Sequence, residues 1–267
     1  MLNEDGYSVK GCKLIYAPEG QAGEYSRLAL NDYRGCGHGC VYCYVPPIIK
    51  MPRIEFDKGA IPKKDYLDRL RKDAKKYREH GITERVLLCF TTDPYNPDDV
   101  TYQLTRECLI ILSEHGLAFC TLTKGGSRAL RDIDLFRPGR DAFASTLTTL
   151  NDEQSLGMEP KAALPADRLA TLKRFHDAQI YTWVSLEPVY DPAMTLACIE
   201  ESKDFVDFYK VGRINYHRIG RDIDWRKFTQ DVAELLTRLG KGHYIKKDLQ
   251  PFLPLGYDNP RYFSQSR

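Results

Sequence analysis

Three cysteines lie close together in the segment YRGCGHGCVYCYVP, residues 33–46. Cys36, Cys40 and Cys43 have the spacing C-x3-C-x2-C, and His38 and three glycines share the segment. Clustered thiols in a reducing compartment bind metals or carry out redox chemistry rather than forming disulfides. The other five cysteines stand apart at positions 12, 89, 108, 120 and 198, and we expect the last four to be small core residues.

Three kinds of site would use these cysteines. A closed zinc site needs a fourth ligand, and His38 is the only candidate within the segment. A redox pair of Cys40 and Cys43, which have the C-x-x-C spacing, would leave Cys36 without a role. A four-iron, four-sulfur cluster held by three thiolates leaves one iron open to a small-molecule ligand. The cluster hypothesis also explains the glycines, because a loop around a cuboidal cluster needs unusual backbone angles and close backbone approach.

The cysteine spacing, with the aromatic Tyr42 directly before the last cysteine, resembles the signature of the radical S-adenosylmethionine enzymes. The resemblance implies that Cys36, Cys40 and Cys43 bind a [4Fe-4S] cluster, and that the methionyl group of S-adenosylmethionine chelates its open iron. It further implies that one electron cleaves the sulfonium and gives a 5′-deoxyadenosyl radical, which abstracts a hydrogen atom from the substrate. Reduction of the cluster implies an electron donor such as flavodoxin or ferredoxin.

Four segments are similar, in order and in their intervals, to the spore photoproduct lyase-like group, often labelled DNA repair photolyase. They are EYSRLALNDYRGCGHGCVYCYVP, RVLLCFTTDP, TLTKGG and FASTL, and the resemblance covers most of residues 24–191. By position it implies that Thr92 and Lys124 contact the methionyl carboxylate and that Ser145 contacts the ribose. It places Asp93 beside them and adds Tyr42 to the cofactor-binding set. A cation suits an iron-bound carboxylate, and a hydroxyl suits a ribose diol.

One position departs from that group. Spore photoproduct lyases carry a hydrogen-donating cysteine directly before the triplet that corresponds to residues 91–93, where this chain has Phe90. The nearest thiol, Cys89, comes one residue earlier. Because side chains alternate along a strand, we expect Phe90 to face the cofactor with Thr92, and Cys89 to point outward into the helix layer. The departure puts spore photoproduct repair itself in doubt.

Short apolar runs alternate with longer amphipathic ones after the cysteine segment, which is typical of strand–helix units around a parallel sheet. The predicted strands are 27–33, 85–92, 117–124, 141–149, 180–188, 205–212 and, less clearly, 242–247. The predicted helices are 63–81, 101–115, one that begins with Asp191 and Pro192, and 224–239. We predict one α/β domain, a partial (β/α)6-type TIM barrel with helices outside. Its parts are an N-terminal extension packed on the barrel (1–26), the barrel (27–240) and a C-terminal strand and tail that close it (241–267).

The loops after parallel strands converge on one mouth, where reactive groups gather. Tyr44, just past the cysteines, is a candidate to donate or relay a hydrogen atom. Glu187, before Pro188 at a predicted strand end, is the first candidate for a substrate ligand or base. Other polar groups predicted at the mouth are Tyr95, Asn96, Tyr190, Lys210, Arg213, His217 and Lys246.

Charge and composition limit the partners. The chain has 39 basic and 37 acidic residues, a net charge of +2, so only a local patch would hold a nucleic acid. RLRKDAKKYR spreads its cations around a predicted helix, which favours a solvated face, whereas RINYHRIGR and HYIKK combine cations with aromatic rings near the mouth. No apolar run has the length of a membrane span or the place of a secretory signal, so we expect a cytoplasmic protein.

Three functions remain open from the sequence. The leading hypothesis is a radical S-adenosylmethionine enzyme that repairs or modifies a nucleic acid or nucleotide. The second keeps this chemistry and changes the substrate to a peptide or small metabolite, presented by a partner protein; the near-neutral charge supports it. The third is a nonenzymatic interaction module stapled by zinc, with Cys36, His38, Cys40 and Cys43 as ligands.

Overall fold

Apolar runs rich in β-branched and aromatic residues form one sheet of seven strands, beside a separate pair of short strands. The computed structural model describes residues 1–215 and 217–262. The strands are β1 (Leu28–Leu30), β2 (Tyr33–Arg34), β3 (Ile61–Pro62), β4 (Val86–Leu88), β5 (Phe119–Thr123), β6 (Ala142–Thr146), β7 (Tyr181–Val189), β8 (Phe208–Arg213) and β9 (Gly242–Ile245).

The seven strands of the main sheet follow one another in chain order. The order is β1-β4-β5-β6-β7-β8-β9, and every neighbouring pair is parallel. Each parallel pair needs a crossover connection, which brings the carboxyl ends of all the strands to one edge. The predicted single α/β domain with a partial barrel of parallel strands is therefore confirmed, and its sheet contains seven strands.

Amphipathic segments supply the crossovers. The α-helices are α1 (Val45–Ile48), α2 (Arg53–Phe56), α3 (Tyr66–Glu79), α4 (Asp99–Tyr102), α5 (Leu104–Glu114), α6 (Asp152–Met158), α7 (Pro165–Asp177), α8 (Pro192–Ser202) and α9 (Trp225–Arg238). Short 3-10 helices span Ala22–Glu24, Gly126–Leu135, Arg218–Arg221 and Gln250–Phe252. Helix α8 begins as predicted, because the Asp191 side chain accepts a hydrogen bond from the Met194 amide at 3.0 Å. None of the helices in the described ranges is long and apolar enough to cross a membrane.

The prediction of one continuous helix over residues 101–115 is wrong in its first turn. Helices α4 and α5 are separated by Gln103, which has a φ of 50°. The Asp99 carboxylate fixes this break, since it accepts hydrogen bonds from the Tyr33 hydroxyl at 2.5 Å and the Thr105 amide at 3.0 Å. Glutamine gives no indication of left-handed backbone, so the sequence pattern missed the break.

Side chains alternate between the two faces of the sheet. The outer face packs against the helices in one large apolar cluster. The inner face carries Ala29, Leu87, Cys120, Ala142, Ala144, Trp183, Phe208 and Tyr244. Its three alanines leave space inside the partial barrel beneath the mouth. Cys89 belongs to the outer cluster and Phe90 packs against the inner one, as the alternation predicted.

Segments from both ends of the chain cover the edges of the sheet. Tyr16 forms an antiparallel bridge with Ala29 of β1, and the Asn259 side chain exchanges hydrogen bonds of 2.7 and 2.9 Å with the Ile245 backbone of β9. Covered edges do not recruit strands from other chains. The boundaries at residues 26 and 240 remain predictions, and residues 263–267 of the predicted tail lie outside the described residues.

Asp73 fixes the N-terminal segment to α3. Its Oδ2 accepts hydrogen bonds from the amides of Lys13, Leu14 and Ile15 at 2.9, 2.8 and 3.3 Å. We predict that Asp73→Ala lowers the free energy of unfolding by about 2–4 kcal/mol, because buried amides lose a charged acceptor. Denaturant unfolding measures the change. Asp68→Ala, on the exposed face of the same helix, is the matched control with an expected loss below about 0.5 kcal/mol. Equal losses in the two variants would contradict the prediction.

Candidate active site

The cysteine loop, residues 35–44, begins directly after β2. Gly35 has a φ of 86°, and a Cβ there would lie 2.2 Å from the carbonyl oxygen of Gly59, so only glycine fits. The Gly35 carbonyl accepts a hydrogen bond from Thr92 Oγ1 at 2.8 Å. The Cys36 amide donates to the Phe56 carbonyl at 3.0 Å. Backbone contacts on two sides therefore fix the start of the loop.

The three cysteines of the loop carry free thiols. Burial raises the pKa of all three, to about 12 for Cys40, and repulsion from the neighbouring sulfurs adds to the rise for Cys36 and Cys40. These sulfurs are therefore close enough to sense one another's charge.

The donor set does not fit a single zinc ion. Within residues 1–215 and 217–262, no three His, Cys, Asp or Glu side chains converge on one metal position. Both ring nitrogens of His38 are engaged, because Nδ1 lies 3.4 Å from Asp93 Oδ2 and Nε2 lies 2.7 Å from an Arg128 guanidinium nitrogen. A four-iron cluster is larger than one ion and takes thiolates that stand farther apart. Three free thiols on one glycine-bearing loop fit that cluster better than they fit a closed zinc site.

Asp93 connects the cysteine loop to the end of β5. Its Oδ1 accepts hydrogen bonds from the Tyr95 amide at 2.9 Å and Thr123 Oγ1 at 2.5 Å, and its Oδ2 accepts one from the Lys124 amide at 2.7 Å. Burial alone would raise the pKa of Asp93, but His38 and these hydrogen bonds outweigh burial and lower it. Both carboxylate oxygens are thus occupied by protein groups.

Lys124 brings a half-buried cation next to the cysteine loop. Its Nζ lies 5.8 Å from the ring centroid of Tyr42, and within the described part of the chain no acceptor reaches it. Burial opposes its charge, yet Cys40, Glu159 and Asp93 attract it and raise its pKa. An ammonium group without a hydrogen-bond partner is available to an anionic ligand.

Tyr42 is held by a buried ion pair that the sequence did not reveal. Its hydroxyl donates to Glu159 Oε1, and Glu159 Oε2 lies 2.5 Å from a guanidinium nitrogen of Arg168. Glu159 and Arg168 are each 1% exposed. These residues follow Tyr42 by more than 100 positions in an unremarkable segment, so only the fold brings them together.

The two predicted hydroxyl contacts have different surroundings. Thr92 donates to the cysteine loop, as described above. Ser145 shares the outer face of β6 with Phe143, and its hydroxyl donates to the Thr123 carbonyl at 3.1 Å. Because alternation gives Thr146 the inner face of Ala144, Thr146 is better placed than Ser145 for a ribose inside the barrel. The ribose contact of Ser145 stays a prediction.

Glu187 lies near the carboxyl end of β7. Its Oε2 accepts a hydrogen bond from the Tyr25 hydroxyl and pairs with Lys246 Nζ at 2.7 Å. The Tyr25 hydroxyl also lies 2.8 Å from Ser185 Oγ. Lys246 was among the predicted mouth residues, whereas Tyr25 was not predicted as a site residue, although it lies in the first segment that resembles the lyase-like group.

Tyr44 is the last residue of the cysteine loop. Its side chain is 48% exposed, and its hydroxyl donates to the Phe90 carbonyl at 3.0 Å. Desolvation raises the pKa of Tyr44, and the charges of Glu187 and Cys43 on either side of it add to the rise. Phe90 and Tyr25 connect the two predicted catalytic residues, because the Phe90 carbonyl holds Tyr44, the two rings meet, and the Tyr25 hydroxyl donates to Glu187.

Some of the polar groups predicted at the mouth are structural. Lys210 is fully buried and donates to the carbonyls of Glu24, Tyr25 and Arg261 at 2.7, 2.9 and 3.0 Å. Burial lowers the pKa of Lys210 to about 7. Tyr95 and Asn96 are also buried and do not open to the mouth, and Tyr190 is half-buried. The prediction that these residues line the open mouth is therefore wrong for Tyr95, Asn96 and Lys210, because their hydrogen bonds or packing keep them inside.

Residues 30–206, well over half of the chain, match the family model of the Radical SAM superfamily. The chain therefore belongs to this superfamily, whose members are enzymes that use a [4Fe-4S] cluster and S-adenosylmethionine. The predicted enzyme class and cofactors are confirmed at this level. Membership of this enzyme superfamily argues against the third hypothesis, a zinc-stapled module without enzyme activity.

The similar curated proteins are uncharacterized. One from Mycobacterium tuberculosis is 28% identical over 61% of this chain and 49% of its own length, so this chain spans about half of it. Another, from Methanocaldococcus jannaschii, is 27% identical over 69% of each chain.

Two kinds of solved structure share the fold. A spore photoproduct lyase variant with bound S-adenosylmethionine and dinucleoside spore photoproduct has a TM-score of 0.65 and 14% identity, over 88% of this chain and 79% of that one. Streptococcus suis SuiB bound to S-adenosylmethionine has a TM-score of 0.63 and 11% identity, over 89% and 51%. At these identities the similarity concerns the fold.

We predict that His38→Ala leaves about four iron atoms per chain after anaerobic reconstitution, because both ring nitrogens are already bound by protein. The same change lowers the free energy of unfolding by about 2–4 kcal/mol, since the buried Asp93 carboxylate loses a partner. Iron analysis and denaturant unfolding measure the two effects. The surface variant His80→Ala serves as the control, with both quantities unchanged. Loss of metal at unchanged stability would show that His38 is a ligand after all.

Proposed function

We propose that Cys36, Cys40 and Cys43 hold the [4Fe-4S] cluster and that Lys124 binds the methionyl carboxylate of S-adenosylmethionine. The observation that supports this proposal is the Lys124 ammonium beside Cys40, which has no hydrogen-bond partner among residues 1–215 and 217–262. A cation next to a cluster ligand suits a carboxylate that is also bound to iron. When bound, the cluster and cofactor supply a one-electron cleavage and a carbon radical for hydrogen abstraction.

The other cofactor-binding residues position this cation and the loop. Thr92 binds the Gly35 carbonyl, and Asp93 binds the amide of Lys124. The Tyr42 ring lies against the Lys124 ammonium, where a cation–π contact keeps the ammonium near Cys40. We infer that Thr92, Asp93 and Tyr42 act mainly through Lys124 and the loop.

Lys124→Met tests the cofactor site. We predict that the variant binds about four iron atoms per chain and binds S-adenosylmethionine about 10–100-fold more weakly, because a charge-assisted hydrogen bond is lost. Equilibrium dialysis and 5′-deoxyadenosine formation with dithionite measure the change. The control is Lys173→Met, an exposed lysine of α7 with a surface ion pair. Unchanged cofactor affinity would contradict the role of Lys124, and a colourless, zinc-binding wild type would end the whole proposal.

We propose a nucleic acid or nucleotide as the substrate. The segment after β8 supports it: residues 213–221 contain Arg213, Arg218 and Arg221 and no acidic residue. Arg218 and Arg221 are exposed, while Arg213 and His217 are half-buried. Tyr216 of the same segment lies outside the described residues. Cations at the rim of an aromatic mouth suit phosphates and bases, and the spore photoproduct lyase structure contains a dinucleoside ligand.

Tyr44 and the electron donor complete the proposed reaction. We propose that Tyr44 donates or relays a hydrogen atom, because it lies between Cys43 and Glu187 and is half exposed at the mouth. The reductant would be a small carrier protein such as flavodoxin or ferredoxin, as one-electron reduction requires.

A peptide presented by a partner protein is the second candidate. SuiB, which has a similar fold with a TM-score of 0.62 in that complex, was solved with its precursor peptide. The near-neutral net charge of this chain also permits a peptide.

The three arginines of residues 213–221, here called the basic rim, allow an experiment that distinguishes a nucleic-acid substrate from a peptide. We predict that single-stranded oligonucleotides bind the reconstituted protein and raise 5′-deoxyadenosine formation. Replacing Arg213, Arg218 and Arg221 by alanine should weaken oligonucleotide binding about tenfold and flatten its dependence on salt, because phosphate contacts release counterions. Fluorescence anisotropy at several salt concentrations measures both effects.

A matched control removes three exposed cations from α3, namely Arg69, Lys72 and Lys75. This helix was predicted to be a solvated face, so oligonucleotide binding should not change. If both triple variants weakened oligonucleotide binding equally, the binding would reflect the general positive charge of the protein rather than a specific site. Salt-independent stimulation by a peptide, with no oligonucleotide binding, would favour the second candidate.

A further inference from the structure

We propose that Glu187 reads a nucleobase: its free carboxylate oxygen, Oε1, accepts a hydrogen bond from a neutral N–H group of a base that stacks at the barrel mouth. The inference rests on the proposed nucleic-acid substrate and names the side chain that recognises it. Four observations support the inference. They are the hydrogen bonds of the Glu187 carboxylate, the glycine next to it at position 212, the charge of Lys246 and the aromatic rings nearby.

One oxygen of Glu187 is saturated and the other is free. Oε2 accepts from the Tyr25 hydroxyl and from Lys246 Nζ. Oε1 has no hydrogen-bond partner among residues 1–215 and 217–262. The Glu187 side chain is 18% exposed. An acceptor that makes no hydrogen bond within the described ranges, on a carboxylate whose other oxygen is held in place, is suited to a ligand.

Gly212 makes room for this arrangement. A Cβ at Gly212 of β8 would lie 2.6 Å from Glu187 Cδ, 2.7 Å from Glu187 Oε1 and 2.9 Å from Lys246 Cδ. Any other residue at position 212 would push the carboxylate or the lysine away. The missing side chain lets Glu187 and Lys246, from strands on either side of β8, meet across it.

The charge of the pair selects a neutral donor. Lys246 is nearly buried, with 4% of its side chain exposed, and it balances the charge of Glu187. A cationic ligand would bring an unbalanced charge into this partly desolvated site, which is costly. A neutral N–H, such as the ring imide, ring amide or exocyclic amino group of a base, gains a charge-assisted hydrogen bond without that cost.

Aromatic rings beside the carboxylate provide a stacking surface. The rings of Tyr25 and Phe90 meet edge to face with centroids 6.0 Å apart, and both are partly exposed. Tyr44 donates to the Phe90 carbonyl and stands at the same part of the mouth. Bases stack on such rings while hydrogen bonds read their edges.

The site also faces the proposed radical source. Tyr44 follows the cluster ligand Cys43 directly in the chain, and Glu187 is close enough to affect its hydroxyl. A base held by Glu187 would therefore lie near Tyr44, at the end of the cysteine loop. Lys124, beside Cys40 of the same loop, would hold the cofactor.

Glu187→Gln tests the inference with the reconstituted protein and S-adenosylmethionine, without reductant. The amide keeps the shape but turns an N–H donor toward the base in place of an acceptor. The probes are fluorescein-labelled hexamers dT6, dC6 and dA6, and an abasic hexamer of equal charge, followed by fluorescence anisotropy. We expect at least one base-containing hexamer to bind the wild type at least tenfold more tightly than the abasic one. Glu187→Gln should remove most of that preference, a loss of about 10–100-fold, and leave abasic binding unchanged.

Two further variants keep the test decisive. Glu234→Gln, on the exposed face of α9, is the control and should change nothing. Glu187→Gln alone leaves Lys246 without its carboxylate partner, which could itself disturb binding. The double variant Glu187→Gln with Lys246→Met removes both charges, and we expect it to lose the base preference to the same extent. Thermal unfolding checks that each variant is folded.

The possible failures are distinguishable. Base preference that survives in both Glu187 variants overturns the inference and leaves the nucleic-acid substrate standing. A parallel loss of S-adenosylmethionine binding overturns it as well, because Glu187 would then contact the cofactor. If the wild type binds no hexamer, the proposed nucleic-acid substrate is contradicted, and so is the inference that Glu187 recognises a base.

Discussion

The buried carboxylate of Asp93 joins the cysteine loop to the ends of two strands. It accepts hydrogen bonds from the Thr123 hydroxyl and the Lys124 amide and faces the His38 ring. Because a buried carboxylate is stable only when its oxygens are satisfied, these groups must stay together. The distance between the loop and the Lys124 ammonium is therefore fixed by the protein itself. Such preorganisation is what a site needs when it must hold a cofactor in one orientation.

Charge is distributed differently on the two walls of the mouth. On the loop side, Lys124 is a cation with no hydrogen-bond partner in the described ranges, beside the balanced pair of Glu159 and Arg168. On the Glu187 side, the carboxylate and Lys246 neutralise each other. A net positive wall suits an anionic cofactor group, and a neutral wall with one open acceptor suits an uncharged polar group. The loop side thus suits the cofactor chemistry of the superfamily, and the Glu187 side suits an uncharged group of the substrate.

The sequence was sufficient for the features that are local or periodic. All seven strands of the sheet overlap the predicted segments, because apolar runs and their boundaries are encoded within a few residues. The cysteine loop was found for the same reason. Contacts between distant residues were not predictable: the Tyr25–Glu187 hydrogen bond spans 162 positions and the Tyr42–Glu159 bond spans 117. Ser145 shows a different limit, since a resemblance identifies a position but not the face of the sheet on which its side chain lies. Alternation from Phe143 gives Ser145 the outer face.

The neighbouring residues Cys89 and Phe90 bear on the final step of the proposed reaction. The Cys89 thiol donates to Asp32 Oδ1 at 3.1 Å in the outer layer, and burial raises its pKa well above the ordinary range. A thiol bound there cannot reach a substrate inside the barrel, and Phe90, which faces inward, has no hydrogen that it readily gives up. Tyr44, at this part of the mouth, has a phenolic O–H group, and its hydroxyl is held on the Phe90 carbonyl. The hydrogen donor proposed for this chain is therefore the Tyr44 phenol, because Phe90 occupies the strand-end position of the lyases' cysteine and the neighbouring Cys89 thiol points into the helix layer.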